Sequence, residues 1–224
     1  MQVLGVNIMN KLFNEAVTFA VNKHKNQTRK QTSWPYAVHL YDVSQILLEN
    51  GADINTVIAG VLHDTVEDTD TTLNEIQQKF GTEIAYLVDL VTEIKGLPYT
   101  ERKKRQAIRI ASASRNVKMV KCADCLSNLK SIEHELIYYP EVWSKFHSTK
   151  DNIGQHYLDI ITAVNELEGL EMYEQLKSSY SKVFECKLSL IQKDIVQHSS
   201  NFTPSSKYER ANTVIQNQFN PIKL

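Results

Sequence analysis

Four side chains able to bind a metal or carry a proton fall within six residues, in the run His63-Asp64-Thr65-Val66-Glu67-Asp68. The segment before them, Val57-Ile58-Ala59-Gly60-Val61-Leu62, is apolar and reads as a buried helix. Charged groups are costly to bury unless they are paired or bound to metal. An apolar helix that runs into three carboxylates and an imidazole therefore points to a metal site. On a helix advancing ~100° per residue the four groups span an arc of about 140° in two layers, with His63 below Glu67 and Asp64 below Asp68. His63 and Asp64 offer a nitrogen and an oxygen to one ion. Glu67 and Asp68, one turn on, reach a bound water or a neighbouring phosphate. A mixed nitrogen–oxygen shell suits Mn²⁺, Zn²⁺, Fe²⁺ or a similar ion better than a thiolate-selective site does.

Two ligands do not complete a shell. His39 is a polar interruption in the apolar stripe Val38, Val43, Ile46 and Leu47, and Asp124 interrupts the stripe Val117, Val120, Ala123 and Leu126. Taken singly, each reads as a structural residue; taken together with His63-Asp64 they form an H…HD…D pattern. The pair Cys122/Cys125 has C-x-x-C spacing, but no second pair accompanies it, and structural zinc sites take four ligands. Two small residues on a helix is the simpler reading.

These residues must be held by helices. Helical periodicity dominates and no series of alternating strands is evident; only 7 Gly and 5 Pro punctuate the chain. The expected helices begin with Asn10 to Lys25 and continue with one opening near Pro35 and stopping at Asn50-Gly51. A third runs from Ile54 to Val66. The spacing of Thr72 and Glu75 predicts a capping box and a helix ending at Phe80-Gly81. Further helices are predicted over 83–94, from the basic residues Arg102–Arg105 onward, over 117–132, over 140–169 and over 171–196. The basic run reads as a solvated helix face. After Ser199 the chain is polar, contains Pro204 and Pro221, and is expected to be irregular.

Length and composition set outer bounds. The 224 residues suit one large domain, or one with a small appendage, and 42% apolar with 23% charged residues is ordinary for a globular protein. A net charge of −1 supplies no global field for nucleic acid or an anionic membrane, so an anionic substrate must be captured by a local cluster. Three cysteines do not make a disulfide framework and fit a reducing compartment. Met1–Met9 lacks a basic start and a long apolar core, and no apolar stretch nears the ~18–20 residues of a membrane span. The expected location is the cytoplasm.

Taken together, the motifs resemble the hydrolase domain of the RelA/SpoT family of HD-domain metal-dependent phosphohydrolases. His63 to Thr69 (HDTVEDT) is similar to that family's HDVVEDT. The blocks Ala20–Lys30 (AVNKHKNQTRK), Pro35–His39 (PYAVH), Phe80-Gly81, Leu87–Thr92 and Lys121–Asn128 (KCADCLSN) follow in the family's order, over about residues 12 to 165. Lys95–Gln106 (KGLPYTERKKRQ) looks most like the stand-alone small alarmone hydrolases. The resemblance implies an all-α, compact multi-helix HD-domain fold. It implies a catalytic domain over residues 1–180, a C-terminal helical or irregular extension over 181–224, and a nucleotide substrate. The implied activity is Mn²⁺-dependent removal of the 3′-pyrophosphate from (p)ppGpp. Carried over by motif, His39, His63, Asp64 and Asp124 are the metal ligands. Glu67 and Asp68 are the catalytic carboxylates, and Arg29, Lys30 and Asn128 contact the nucleotide. The family's KLADRLHN reads KCADCLSN, with Cys125 in place of Arg and Ser127 in place of His, and Leu40 replaces a proline after the first metal histidine. These departures keep two alternatives in play: a related hydrolase for another nucleotide, such as NADPH or a nucleoside phosphate, and a non-catalytic nucleotide-binding regulator.

Overall fold

A computed structural model of the chain describes residues 2–30 and 32–184, and all the secondary structure among them is helical apart from one isolated bridge between Thr28 and Pro35. Ten α-helices follow in order: α1 (Gln2–Lys23), α2 (Ala37–Glu49), α3 (Ile54–Leu62), α4 (Thr65–Asp68), α5 (Leu73–Phe80), α6 (Thr82–Val91), α7 (Tyr99–Ala111), α8 (Arg115–Tyr138), α9 (Lys150–Ala163) and α10 (Glu171–Phe184). Short 3-10 turns occupy Pro140–Lys145 and Asn165–Leu167. The described helices belong to one compact unit, Met1–Cys186. None is long and apolar enough to cross a membrane.

Two helices make the scaffold. α3 is apolar on all sides, and Thr56 through Leu62 are all buried; it packs against α1, α2, α6 and α8. Asp53 caps its start, accepting from the Thr56 N–H at 2.8 Å, and its other oxygen accepts from Asn116 Nδ2 at 2.8 Å, which ties the start of α3 to the start of α8. At Gly60, a Cβ would lie 2.3 Å from Leu47 Cδ1, so the missing side chain lets α2 and α3 approach closely. α8 is wrapped by α2, α3, α6, α7, α9 and α10, and fourteen of its residues are buried. A helix enclosed on so many sides shows no single apolar stripe.

Predicted boundaries hold where a local signal sets them. Thr72 accepts from the Glu75 N–H at 3.1 Å and Gly81 ends α5 with φ of +92°, as the capping spacing implied. Elsewhere tertiary context moves them. α1 begins at Gln2 rather than Asn10. α2 begins at Ala37, because the chain at Pro35 bridges back to Thr28. α8 extends to Arg115 and Tyr138, beyond the expected 117–132. The span 140–169 is divided by the Thr149 cap of α9 and by two 3-10 turns. The expected continuation of the last helix to residue 196, the polar tail and most of the extension 181–224 lie outside the described residues.

The most consequential difference is at the chemical run. The helix predicted over Ile54–Val66 stops at Leu62, and α4 begins at Thr65. Here side chains take up backbone carbonyls: Thr65 Oγ1 donates to Leu62 O at 2.7 Å, and His63 Nδ1 lies 2.7 Å from Gly60 O. Such local bonds compete with the helix ladder. The residues between keep right-handed dihedrals, with Asp64 at φ −93° and ψ −7°, and Asp68 N–H still reaches Asp64 O at 2.8 Å. The carboxylates therefore keep nearly the relative placement of a continuous helix.

Candidate active site

α2, the α3–α4 junction and α8 bring His39, His63, Asp64 and Asp124 to one point. His39 is fully buried, and His63 and Asp124 are buried with it. Ligating atoms of His39, His63 and Asp124 all lie within 4.8 Å of one another. Asp64 joins them through Oδ2, 3.0 Å from His63 Nε2 and 3.5 Å from His39 Nε2; Asp124 Oδ1 is 3.4 Å from His39 Nε2 and 3.7 Å from His63 Nε2. These oxygens sit off the direction that a ring N–H requires, so both buried Nε2 atoms lack a hydrogen-bond partner. A buried polar atom without a partner is expensive. Two imidazole nitrogens and two carboxylates directed at one volume fit a divalent transition ion.

The electrostatics agree. Burial works against ionisation of Asp64, yet the His63 charge and contacts from His39 and His63 hold its carboxyl well below the usual range. For Asp124 burial is likewise opposed, first by Lys121 and then by the two histidines. Burial would lower His63, but Asp64 and Asp124 raise it well above an ordinary imidazole. The carboxylates thus demand positive charge at the position a cation would take. Binding an ion there displaces protons from the ligands.

A second layer holds the carboxylates. Lys121 Nζ donates to Asp124 Oδ2 at 2.8 Å, and Asn128 Nδ2 donates to Asp124 Oδ1 at 2.6 Å. The Tyr36 hydroxyl donates to Asp64 Oδ2, with its ring stacked on His24 at 4.6 Å and edge-on to His39 at 5.5 Å. Burial, then Asp64, raises the Tyr36 phenol well above its ordinary value, so it stays a donor. Lys121 is buried; burial would lower its ammonium, but Asp124 raises it further, so the charge persists.

The site opens into a cavity of about 570 Å³ that collects the remaining predicted residues: Glu67, Asp68, Arg29, Lys30 and Asn128 all line it. Glu67 Oε2 accepts from the Glu93 N–H at 3.1 Å. Burial first, then the Glu93 and Asp64 carboxylates, raise Glu67 to about 7. Burial and Asp64 raise Asp68 as well. Arg29 is buried, whereas Lys30 is exposed.

Three features were not expected from the sequence. Arg102 and Lys103 also line the cavity, where both pair with the buried Glu93, so half of the basic run is not a solvated face; Lys104 and Arg105 are exposed as expected. The buried stripe Gln106, Ala107 and Ile110 places residue 103 at its edge, and that periodicity carried the signal. Tyr36 and Lys121 stood inside the quoted blocks but without a role. At Cys125 a neutral thiol, pushed up to about 12 by burial, faces the cavity. The neighbouring carboxylates take their countercharge from Lys121, Arg102 and Lys103 instead. Cys122 and Cys125 are both free and buried, two small residues of α8.

Comparison with known proteins identifies the family and the fold. A family model described as an HD domain matches residues 16–141. The mouse guanosine-3′,5′-bis(diphosphate) 3′-pyrophosphohydrolase MESH1 is 36% identical over 174 residues, covering 76% of this chain and 92% of the relative. The human MESH1 is 42% identical over 134 residues, covering 58% and 73%. An Aquifex aeolicus guanosine-3′,5′-bis(diphosphate) 3′-pyrophosphohydrolase is 35% identical over 174 residues, which are 75% of this chain but 24% of that longer protein. Among solved structures, a metazoan ortholog of SpoT that hydrolyses ppGpp superimposes with a TM-score of 0.64 at 30% identity, over 76% of this chain and 94% of that one. A Listeria monocytogenes crystal structure superimposes with a TM-score of 0.62 at 31% identity, over 68% and 97%.

Proposed function

The chain belongs to the HD-domain family, in its guanosine-3′,5′-bis(diphosphate) 3′-pyrophosphohydrolase branch, and from that premise we propose that it hydrolyses (p)ppGpp to GDP or GTP and pyrophosphate with Mn²⁺ as its ion. One observation supports this most: His39, His63, Asp64 and Asp124 converge where Glu67, Asp68 and a set of cations line one cavity. We assign residues 1–180 to the catalytic domain and 181–224 to an extension, and place the enzyme in the cytoplasm with its nucleotide substrate.

His39, His63, Asp64 and Asp124 would hold a divalent ion, which would supply polarisation of a phosphoryl oxygen and acidification of a water. The rest is done by the chain. Glu67, at about 7, is matched to taking a proton from the attacking water near neutral pH. The water oxygen joins the 3′-phosphorus, and the bond from that phosphorus to the ribose 3′-oxygen breaks. The ribose oxygen takes a proton and pyrophosphate departs with the new oxygen. Asp68 positions the water beside Glu67. Arg29 offers a planar fork that grips a phosphate or stacks on a base, and Lys30 adds a point charge. Lys121, Arg102 and Lys103 counter the charge that grows on the phosphoryl oxygens. Asn128, steadied by Asp124, contacts the nucleoside.

Cys125 favours a second reading, in which the cavity takes another phosphorylated nucleotide such as NADPH, because a neutral thiol stands where the family carries arginine. A regulator that only binds has no use for Glu67 and Asp68 beside a metal shell. Phosphate and pyrophosphate release should be measured with Mn²⁺ from ppGpp, GTP, GDP and NADPH. The expected result is pyrophosphate from ppGpp. Asp64→Ala should lose both ion and turnover, and Glu67→Ala should keep the ion while slowing turnover roughly 10²–10⁴-fold. Full metal-dependent turnover by Asp64→Ala would falsify the ligand assignment, and phosphate from NADPH alone would replace the substrate.

A further inference from the structure

The His39 ring makes one hydrogen bond, and it leads away from the metal-facing side. His39 Nδ1 lies 2.9 Å from Ser127 Oγ, and Ser127 Oγ lies 3.4 Å from Asp42 Oδ2. His39 and Ser127 are buried, on α2 and α8 respectively, and Asp42 is half-buried three residues along α2 from His39. Ser127 is also one of the positions where this chain leaves the family's KLADRLHN pattern.

The direction of this chain of bonds is set by chemistry. A carboxylate can only accept, whereas a hydroxyl has one hydrogen to give and lone pairs to receive. Ser127 therefore gives its hydrogen to Asp42 and meets His39 as an acceptor, so the hydrogen between them belongs to His39 Nδ1. The Nε2 lone pair is then the one directed at His63, Asp64 and Asp124, where Nε2 has no hydrogen-bond partner. Without Asp42 the hydroxyl is free to donate to Nδ1 instead. That arrangement places the ring hydrogen on Nε2 and removes it as a ligand. His63 needs no such device, because its Nδ1 faces the Gly60 carbonyl, which can only accept.

We propose that Ser127 and Asp42 form a hydroxyl–carboxylate relay that selects the metal-competent tautomer of His39. They are positioning residues that act through the histidine. The groups beyond a ligand commonly carry 10–100-fold in metal affinity. The proposal rests on the reading of His39 as a metal ligand.

The test uses the full chain, its Asp42→Asn, Ser127→Ala and Ser127→Thr variants, and Mn²⁺ alone as the probe. Asp42→Asn is the sharpest, since an amide N–H can point at Ser127 and reverse the polarity of the chain. Mn²⁺ affinity by titration calorimetry should fall about 10-fold or more in Asp42→Asn and Ser127→Ala. Ser127→Thr, which keeps the hydroxyl, should stay near wild type. Long-range ¹H–¹⁵N spectra of the metal-free chain should show a larger share of hydrogen on His39 Nδ1 in the wild type than in Asp42→Asn. A role in packing alone moves neither readout. Wild-type affinity in both Asp42→Asn and Ser127→Ala overturns the relay, and a loss in Ser127→Ala without one in Asp42→Asn overturns its polarity. A wild-type chain that takes up no Mn²⁺ removes the metal reading and the relay together.

Discussion

Glu67→Gln should make this protein more stable and less active, with a stability gain that depends on pH. Burial, Glu93 and Asp64 raise the Glu67 carboxyl from an ordinary 4.5 to about 7. A carboxyl raised in the folded state binds its proton more tightly folded than unfolded. Below the unfolded value both states are protonated and nothing is lost. As pH rises from 4.5 to 7 the unfolded chain ionises first and stability declines, and above 7 the full penalty is in place. At ~1.4 kcal/mol per unit over roughly 2.5 units the penalty approaches ~3 kcal/mol, and partial exposure to the cavity brings it to about 2 kcal/mol. Glutamine has nearly the same shape, keeps an acceptor for the Glu93 N–H and cannot ionise. Urea unfolding in EDTA should show Glu67→Gln level with wild type near pH 4.5 and about 2 kcal/mol more stable at pH 8. The same preparation should bind Mn²⁺ normally and turn over roughly 10²–10⁴-fold more slowly. A stability difference that is constant across this window, or a variant less stable at pH 8, would show that Glu67 does not carry a strained charge.

Two further outcomes follow from the packing around the site. Lys121→Met removes a buried ammonium 2.8 Å from Asp124 and should cost about 3 kcal/mol in EDTA by urea unfolding; a cost under ~1 kcal/mol would mean that the histidines alone balance Asp124. Gly60→Ala puts a methyl 2.3 Å from the fully buried Leu47 Cδ1. Overpacking by ~1–3 kcal/mol, less the ~1 kcal/mol that alanine gains in a helix, leaves a loss of about 1 kcal/mol, and additivity with Leu47→Ala would refute the clash.

Much of the fold and most of the candidate site could be read from the chain because the signals are local. An apolar run, a cap at Thr72 and a glycine at 81 each act over a turn or less, and the helices they announce start where they were expected, although the apolar one stops at Leu62 rather than Val66. The candidate ligand set rested on something weaker alone but strong in combination. His39 and Asp124 each look like an oddity in an apolar stripe, and only their pairing with His63-Asp64 gives them a common purpose. The structure brings all four together even though the helix carrying the central pair breaks between Leu62 and Thr65.

What could not be read was how the site is supported, and the reason is physical. Periodicity reports the contacts of residues three or four apart. The Tyr36 hydroxyl meets Asp64 across 28 residues, and Ser127 meets His39 across 88. No pattern within one helix can anticipate which face of α8 will be laid against α2. The basic run fails for the same reason. Four consecutive cations look alike in sequence, yet α7 packs so that Arg102 and Lys103 turn inward to Glu93 while their neighbours stay exposed. Motif matching has its own blind spot at the substituted positions. Replacing Arg by Cys125 deletes a charge from the motif, but Lys121, Arg102 and Lys103 already balance the carboxylates beside it. Replacing His by Ser127 removes a ring from the motif, but the smaller hydroxyl fits between His39 and Asp42. In the proposed reading the motif residues carry the chemistry of this pocket, and the departures from the motif bear on how this chain supports them.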